Sequence, residues 1–312
     1  MKPGILQIAP MMEHVEIALN NAYTVFRYWE ATDKDALISA SAATIRGVAT
    51  SGHHGCPEAL MDKLPNLEII ASYGVGYDAI DVAACKAAGV HVTNTPDVLN
   101  DAVAEITLGL MIALCRRIPQ ADHYTRSGRW LDANYPLTSE LTGAKVGILG
   151  LGRIGKEIAR RCQVFKMQVV YHGRNEQPYE PYQYYATLVG MAKDVNWLVV
   201  IAPGSAETTG IVSRQVMEAL GPDGNLVNMA RGSLVDETAL VELLQSGRLG
   251  GAALDVFAQE PRVPEALFAL DNVVLSPHQG SATNKTRTAM GDLVIRNLAA
   301  HFAGNPLPTP VA

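Results

Sequence analysis

Four sets of residues from position 150 onward carry groups that could act together on a carbonyl. The glycine fingerprint Gly150-Leu151-Gly152-Arg153-Ile154-Gly155 follows the apolar run Lys145-Val146-Gly147-Ile148-Leu149. Downstream stand Arg231 in Asn228-Met229-Ala230-Arg231-Gly232, Glu260 in Asp255-Val256-Phe257-Ala258-Gln259-Glu260-Pro261, and His278 in Ser276-Pro277-His278. A strand–GxGxxG–helix unit binds a dinucleotide. A guanidinium can bond both the carboxylate and the carbonyl oxygen of a 2-keto acid. An imidazole can give a proton to the forming alkoxide at neutral pH. Glu260 would accept the other ring N–H and orient the ring. Singly these residues have ordinary readings: a structural ion pair, a surface carboxylate, a satisfied core histidine. At successive strand ends of one dinucleotide fold they are what reduction of a 2-keto acid by a nicotinamide requires, with no metal site.

Within the fingerprint Gly150 is expected to make the tight turn, Gly152 to let the backbone approach a pyrophosphate, and Gly155 to permit close helix packing. The N-terminus of the following helix, at Arg153 and Ile154, would face the phosphate charge. About 20 residues on, NAD-preferring sites place an acid for the ribose hydroxyls. This chain has Val170-Tyr171-His172-Gly173-Arg174-Asn175 there, with no acid. Gly173 leaves room for a 2′-phosphate, Arg174 can pair with it, and Asn175 can add a hydrogen bond. NADP(H) is therefore the expected cofactor and NAD(H) the alternative. Asp255, ending the strand Ala252-Asp255, suits the carboxamide of a nicotinamide. Tyr73-Gly74-Val75-Gly76 ends a strand in the first half, where backbone N–H groups of a glycine-rich loop can point at a substrate carboxylate. His53-His54 has no acidic or cysteine partners at metal-ligand spacing and is expected in a polar loop.

These side chains need a scaffold of strands that end on one side. Short β-branched runs alternate with helical stretches along the chain, the pattern of parallel sheets covered by helices on both faces. The expected strands are Ile5-Ala9, Thr24-Arg27, Gly47-Thr50, Glu68-Ser72 and His91-Thr93 in the first half. Further along they are Lys145-Leu149, Gln168-Tyr171, Trp197-Ile201, Leu226-Asn228, Ala252-Asp255 and Val273-Leu275. Helices are expected over Asp78-Ala88, Asn100-Ile118, Ile154-Phe165, Arg214-Ala219, Glu237-Ser246 and from Thr286 onward. The helix from Asn100 is too apolar to be exposed, and Pro119 follows its end. The fold class is thus α/β, with two doubly wound parallel-sheet halves and ligands at the strands' carboxyl ends.

Bulk composition limits the alternatives. At 312 residues there is room for two domains. A formal charge of -6 argues against a nucleic-acid partner. The longest apolar stretch, Ile106 to Leu114, is too short to span a bilayer. No signal-peptide pattern is visible at the N-terminus. Cys56, Cys85, Cys115 and Cys162 are widely spaced and form no CxxC pair, as expected of reduced thiols in a cytoplasmic protein.

These motifs resemble the D-isomer-specific 2-hydroxyacid dehydrogenases over nearly the whole chain. The resemblance also rests on Thr95-Pro96, Asp101-Ala102-Val103-Ala104-Glu105, Gly251-Ala252-Ala253-Leu254-Asp255-Val256-Phe257 and Ser276-Pro277-His278-Gln279-Gly280-Ser281-Ala282-Thr283. Within the family the chain is most similar to the glyoxylate/hydroxypyruvate reductases, some of which also reduce 2-ketogluconate. The resemblance implies a flavodoxin-like substrate domain, residues 1–97 plus 287–312, and a Rossmann cofactor domain, residues 98–286, with an arm that builds a homodimer. It implies a catalytic trio at Arg231, Glu260 and His278, and substrate contacts at Val75, Gly76, Arg231, His278 and Arg287, with Trp130 in the arm. Pro203, in Ile201-Ala202-Pro203-Gly204-Ser205, joins the cofactor candidates, although the histidine or leucine common before that proline is absent. The implied reaction gives a D-2-hydroxy acid. Formate dehydrogenases of this fold pair their histidine with glutamine, which Glu260 argues against. Phosphite dehydrogenase and a dinucleotide-sensing scaffold are the remaining alternatives.

Overall fold

A computed structural model describes residues 2–311 and divides them into two compact units. One unit holds the described residues up to Leu99 and from Ser281 onward; the other is Asn100–Gly280.

The first unit is built on five parallel strands: β1 (Gly4–Gln7), β2 (Thr24–Arg27), β3 (Ile45–Ser51), β4 (Ile69–Tyr73) and β5 (His91–Thr93). Their order, β2-β1-β3-β4-β5, is the flavodoxin-like one. Side chains alternate across a strand, and here both faces are apolar. Leu6, Val48 and Ile70 enter one core, and their neighbours Ile5, Ala49 and Ile69 the other. This is why the strands read as continuous apolar runs. Helix starts are marked by short polar side chains: Asp33 accepts Ala36 N–H, Asp81 accepts Ala84 N–H, and Thr283 accepts Thr286 N–H.

The second unit carries β6 (Lys145–Leu149), β7 (Gln168–His172), β8 (Gln183–Tyr184), β9 (Trp197–Val200), β10 (Asn225–Asn228), β11 (Gly251–Leu254) and β12 (Val273–Leu275). They form one parallel sheet in the order β12-β11-β10-β9-β6-β7-β8. From β6 the chain runs outward through β7 and β8, then returns to β9 on β6's other side. The strand order therefore reverses between β6 and β9, the crevice in which this architecture binds ligands.

All eleven expected strands are present, and a twelfth, β8, is additional. Its two residues are too short for any alternation to show. The helix expected over 100–118 is two helices, Asn100–Cys115 and Ile118–Arg126. Arg117 breaks it with φ 49°, and Pro119 lies in the first turn of the second helix rather than beyond the end of the first. The apolar character of Asn100–Cys115 is satisfied within its own unit. It packs on the helix Arg153–Val164 and on β10, β11 and β12, and Asp101 pairs with Arg161 at 2.6 Å. The helix Glu13–Ala22 was not anticipated, since the preceding Met12 gives no side-chain cap.

All four cysteines are free and buried. Burial pushes the Cys56 and Cys162 thiols up to about 12, so neither is a thiolate nucleophile at neutral pH.

Candidate active site

The fingerprint turn follows β6 directly. Gly150 has φ 101°, and a Cβ there would lie 2.8 Å from the backbone of Ala202, just past β9. A Cβ on Gly155 would meet the Gly150 carbonyl oxygen at 2.2 Å, so only glycine lets the helix Arg153–Val164 start this close to the turn. Gly152, at the helix N-cap, provides no side-chain cap, and nothing lies within 4 Å of where its Cβ would be. The helix therefore starts without a side-chain cap and with room beside Gly152, at the positive end of the helix dipole, a cradle that fits a pyrophosphate. Arg153 is exposed there and Ile154 half-buried.

At the end of β7 the expected features lie side by side. Nothing is within 4 Å of a Cβ position on Gly173, and Arg174 and Asn175 are exposed. Glu176 is the first acid after β7. This end of the sheet therefore fits a 2′-phosphate better than a bare ribose diol. Pro203 is exposed in the loop after β9, where its carbonyl accepts the Thr208 hydroxyl at 2.8 Å.

Arg231, Asp255 and His278 follow β10, β11 and β12. The register pairs Asn228 with Leu254 and Leu254 with Leu275, so the three loops leave the sheet side by side. The turn at Arg231 is fixed by Asn228, a buried side chain whose Oδ1 accepts Ala230 N–H and whose Nδ2 donates to the Arg231 carbonyl. A Cβ on the next residue, Gly232, would lie 2.0 Å from the Phe257 carbonyl carbon. The Arg231 turn therefore rests directly on the segment that carries Glu260.

Glu260 Oε1 accepts Phe257 N–H at 3.0 Å, and Oε2 lies 2.6 Å from His278 Nδ1. A carboxylate can only accept, so Nδ1 carries the proton and the ring is oriented through it. The His278 side chain is 41% exposed against 17% for Glu260, and Nε2 makes no hydrogen bond among the described residues. The ring is thus tied down through Nδ1 on a side chain that stays partly open to solvent.

His278 is one of the few non-glycine residues at positive φ, 49°. Such a conformation persists where its surroundings over-determine it. Here they do: His278 N–H donates to the Asp255 carbonyl at 2.8 Å, and the Asp255 carboxylate accepts from Ser276 Oγ, Gln279 N–H and Gly280 N–H at 2.5, 2.9 and 2.8 Å. Asp255 is 2% exposed. Anticipated as a carboxamide contact, it is also the anchor of the loop that holds His278, and that part of its role was not visible in the sequence.

In the first unit, Val75 and Gly76 follow β4. Asn94 Nδ2 donates to the Val75 carbonyl at 2.9 Å, and Thr95 N–H to that of Gly74 at 2.9 Å. The structure brings Arg287 to the same strand end. Tyr73 Oη donates to the Arg287 carbonyl at 2.8 Å, and the guanidinium stands 5.7 Å from the Tyr73 ring centroid. Tyr73 was not singled out in the sequence; its only local signal is its place beside the glycine loop. Burial raises the Tyr73 pKa, with Arg287 acting in the opposite sense, so the phenol stays protonated. His53 and His54 are exposed loop residues, with Ser51 Oγ 2.8 Å from His54 Nδ1. Burial, with His53 adding to it, lowers the His54 pKa.

Comparison with known proteins agrees with this geometry. Residues 108–280 match the model of the D-isomer specific 2-hydroxyacid dehydrogenase NAD-binding domain. The chain is 48% identical over 308 residues to a glyoxylate/hydroxypyruvate reductase A of Arabidopsis thaliana, covering 99% of this chain and 98% of that protein. It is 39% identical to a 2-ketogluconate reductase of Gluconobacter oxydans, covering 99% of each. Among solved structures, an NADPH-dependent glyoxylate/hydroxypyruvate reductase of Sinorhizobium meliloti, in complex with NADP and malonate, superposes with a TM-score of 0.95. It is 46% identical, with 100% of this chain and 97% of that chain covered.

Proposed function

This chain belongs to the D-isomer specific 2-hydroxyacid dehydrogenases, and from that premise we propose that it is an NADPH-dependent reductase of small 2-keto acids. Glyoxylate and hydroxypyruvate are the proposed substrates, with 2-ketogluconate a third, and the product is the D-2-hydroxy acid. The observation that carries the reading is the His278–Glu260 pair, 2.6 Å apart through Nδ1, on the sheet whose β6 and β7 ends carry the fingerprint and Gly173-Arg174.

When bound, NADPH supplies the hydride. The fingerprint residues Gly150, Gly152, Arg153, Ile154 and Gly155 would hold its pyrophosphate, and Gly173, Arg174 and Asn175 its 2′-phosphate; Pro203 and Asp255 are the remaining proposed contacts. Arg231 holds the keto acid and stabilises negative charge as it develops on the carbonyl oxygen. His278 gives that oxygen the proton from Nε2, while Glu260 fixes the ring through Nδ1 and balances its positive charge. In the first unit Val75, Gly76 and Arg287 are the proposed substrate contacts.

The test is oxidation of NADPH and NADH, at matched concentration, with glyoxylate and with hydroxypyruvate. Strong turnover with NADPH and little with NADH is expected. Equal turnover would overturn the part given to Gly173 and Arg174; no turnover on any 2-keto acid would overturn the reading as a whole.

The same proposal includes a homodimer. Trp130, Leu131 and Leu137 are 64%, 93% and 101% exposed along one stretch following the helix Ile118–Arg126. Large apolar side chains left this open mark a surface that a second copy would cover. Sedimentation at the mass of two chains is expected, and sedimentation as a single chain at micromolar concentration would refute it. Cytoplasmic residence is proposed with it, supported by four free, buried thiols, and is checked by cell fractionation. Among the described residues no helix is long and apolar enough to cross a membrane.

A further inference from the structure

We propose that Gln177 is the positioning residue that sets the preference of this chain for a 2′-phosphorylated dinucleotide. The inference rests on the reading of Gly173 and Arg174 as the 2′-phosphate pocket and adds to it the element that holds the pocket in place.

The segment between β7 and β8 carries Arg174 and Asn175 on its exposed side. Their side chains make no hydrogen bond or ion pair among the described residues, so they do not hold the loop themselves. A loop so placed would be free to move, and an exposed arginine loses side-chain entropy on being ordered around an anion. Recognition of one ligand by two separate loops needs their spacing fixed beforehand.

Gln177 supplies that spacing. Its backbone N–H donates to Tyr171 Oη at 2.6 Å, and its side-chain Nε2 donates to the Leu151 carbonyl at 2.8 Å. Tyr171 is 1% exposed, next to last in β7, a rigid anchor. Leu151 lies between Gly150 and Gly152, inside the fingerprint turn. One residue thus ties the proposed 2′-phosphate loop both to the strand it leaves and to the turn that would hold the pyrophosphate.

The other ties of this segment go elsewhere. Tyr184 Oη donates to the Gly173 carbonyl at 3.2 Å, which braces the loop against β8. Lys156 pairs with Glu180 at 2.7 Å, and Tyr182 Oη donates to Gln163 Oε1 at 3.0 Å, along the helix Arg153–Val164. The end of β7 itself meets the fingerprint turn, where Gly150 N–H donates to the His172 carbonyl at 2.9 Å; beyond Gly173, of these contacts only the Gln177 side chain reaches that turn. Its loss lets Arg174 drift relative to that turn. NADP+ loses by this, because it needs both ends at once. NAD+ has no 2′-phosphate for Arg174 to meet and loses nothing.

Titration calorimetry on the full chain, with NADP+ and NAD+ as separate ligands, reads this without turnover. Gln177→Met keeps the length of the side chain and its backbone hydrogen bond but removes the donor to Leu151. It is expected to weaken NADP+ binding by about threefold to tenfold, the worth of one hydrogen bond, and to leave the Kd for NAD+ unchanged. Tyr182→Phe removes a tie at the far end of the loop and is expected to change neither. Equal weakening of both ligands by Gln177→Met, or an unchanged ratio of the two Kd values, overturns the proposal. So does a Tyr182→Phe variant that shifts the ratio as far. Arg174→Ala separates the two levels. If it collapses the ratio while Gln177→Met does not, only the role of Gln177 falls; if it leaves the ratio intact, the pocket reading falls and this inference with it.

Discussion

Replacing His278 with alanine is expected to lower kcat by about 10²- to 10⁴-fold, the range for loss of a positioned general acid. The Kd for NADP+ should be unchanged. His278 follows β12, which lies four strands from β6, or about 19 Å along the sheet at the usual strand spacing. The fingerprint contacts are therefore out of reach of the substitution. A second variant guards against a trivial explanation. His278 sits at φ 49°, a conformation alanine tolerates poorly and asparagine well. His278→Asn keeps the loop but cannot exchange a proton near neutral pH, so it should lose activity as fully as the alanine variant. Single-turnover oxidation of NADPH with saturating glyoxylate is the measurement, with Tm recorded for each variant. If the asparagine variant turned over within threefold of the unsubstituted enzyme, the proton donor would have to be sought elsewhere and Glu260 would be left as a structural carboxylate.

The parts of this site that were legible in the sequence are those whose chemistry is local. The fingerprint was legible because its glycines lie between an apolar strand and an amphipathic helix, and the close approach of Gly155 to Gly150 is a consequence of that turn alone. Arg231, Glu260 and His278 were legible because charged or titratable groups stand just beyond buried strands, where they are costly without a task. The short strand β8 and the break in the long helix lacked any such pattern. β8 has two residues. The break at Arg117 places a non-glycine residue at positive φ, which no turn signature announces. The supports of the site were hidden for another reason. Gln177 meets Leu151 across 26 positions, Asp255 meets Gly280 across 25, and Tyr73 meets Arg287 across 214. A hydrogen bond of that span depends on which elements pack side by side, and that is a property of the folded chain. The candidate groups were readable one residue at a time; what holds each residue at its station was not.

Replacing Arg231 with alanine is expected to reduce kcat/KM by about 10²- to 10³-fold, the effect of removing one preorganised donor from a developing oxyanion. Arg231→Lys keeps the charge and loses the planar fork, so it should recover part of the loss and not all of it. The backbone leaves little ambiguity about the cause. The Asn228 side chain fixes the turn from both sides, through Ala230 N–H and the Arg231 carbonyl, and neither contact involves the guanidinium. The guanidinium donates from Nη1 to the Ala230 carbonyl at 2.8 Å, and when truncation removes that bond the two Asn228 contacts still hold the turn. The carboxylate and carbonyl it would hold are common to every 2-keto acid. Glyoxylate and hydroxypyruvate should therefore lose by the same factor, and the Kd for NADP+ should stay as it was. A loss confined to hydroxypyruvate would place Arg231 at the far end of the substrate and move the carboxylate to another partner. An alanine variant within threefold of the unsubstituted kcat/KM on both acids would remove Arg231 from the catalytic trio. Restoration of turnover to Arg231→Ala by added guanidinium, with no such effect on His278→Ala, would tie the deficit to the missing fork itself.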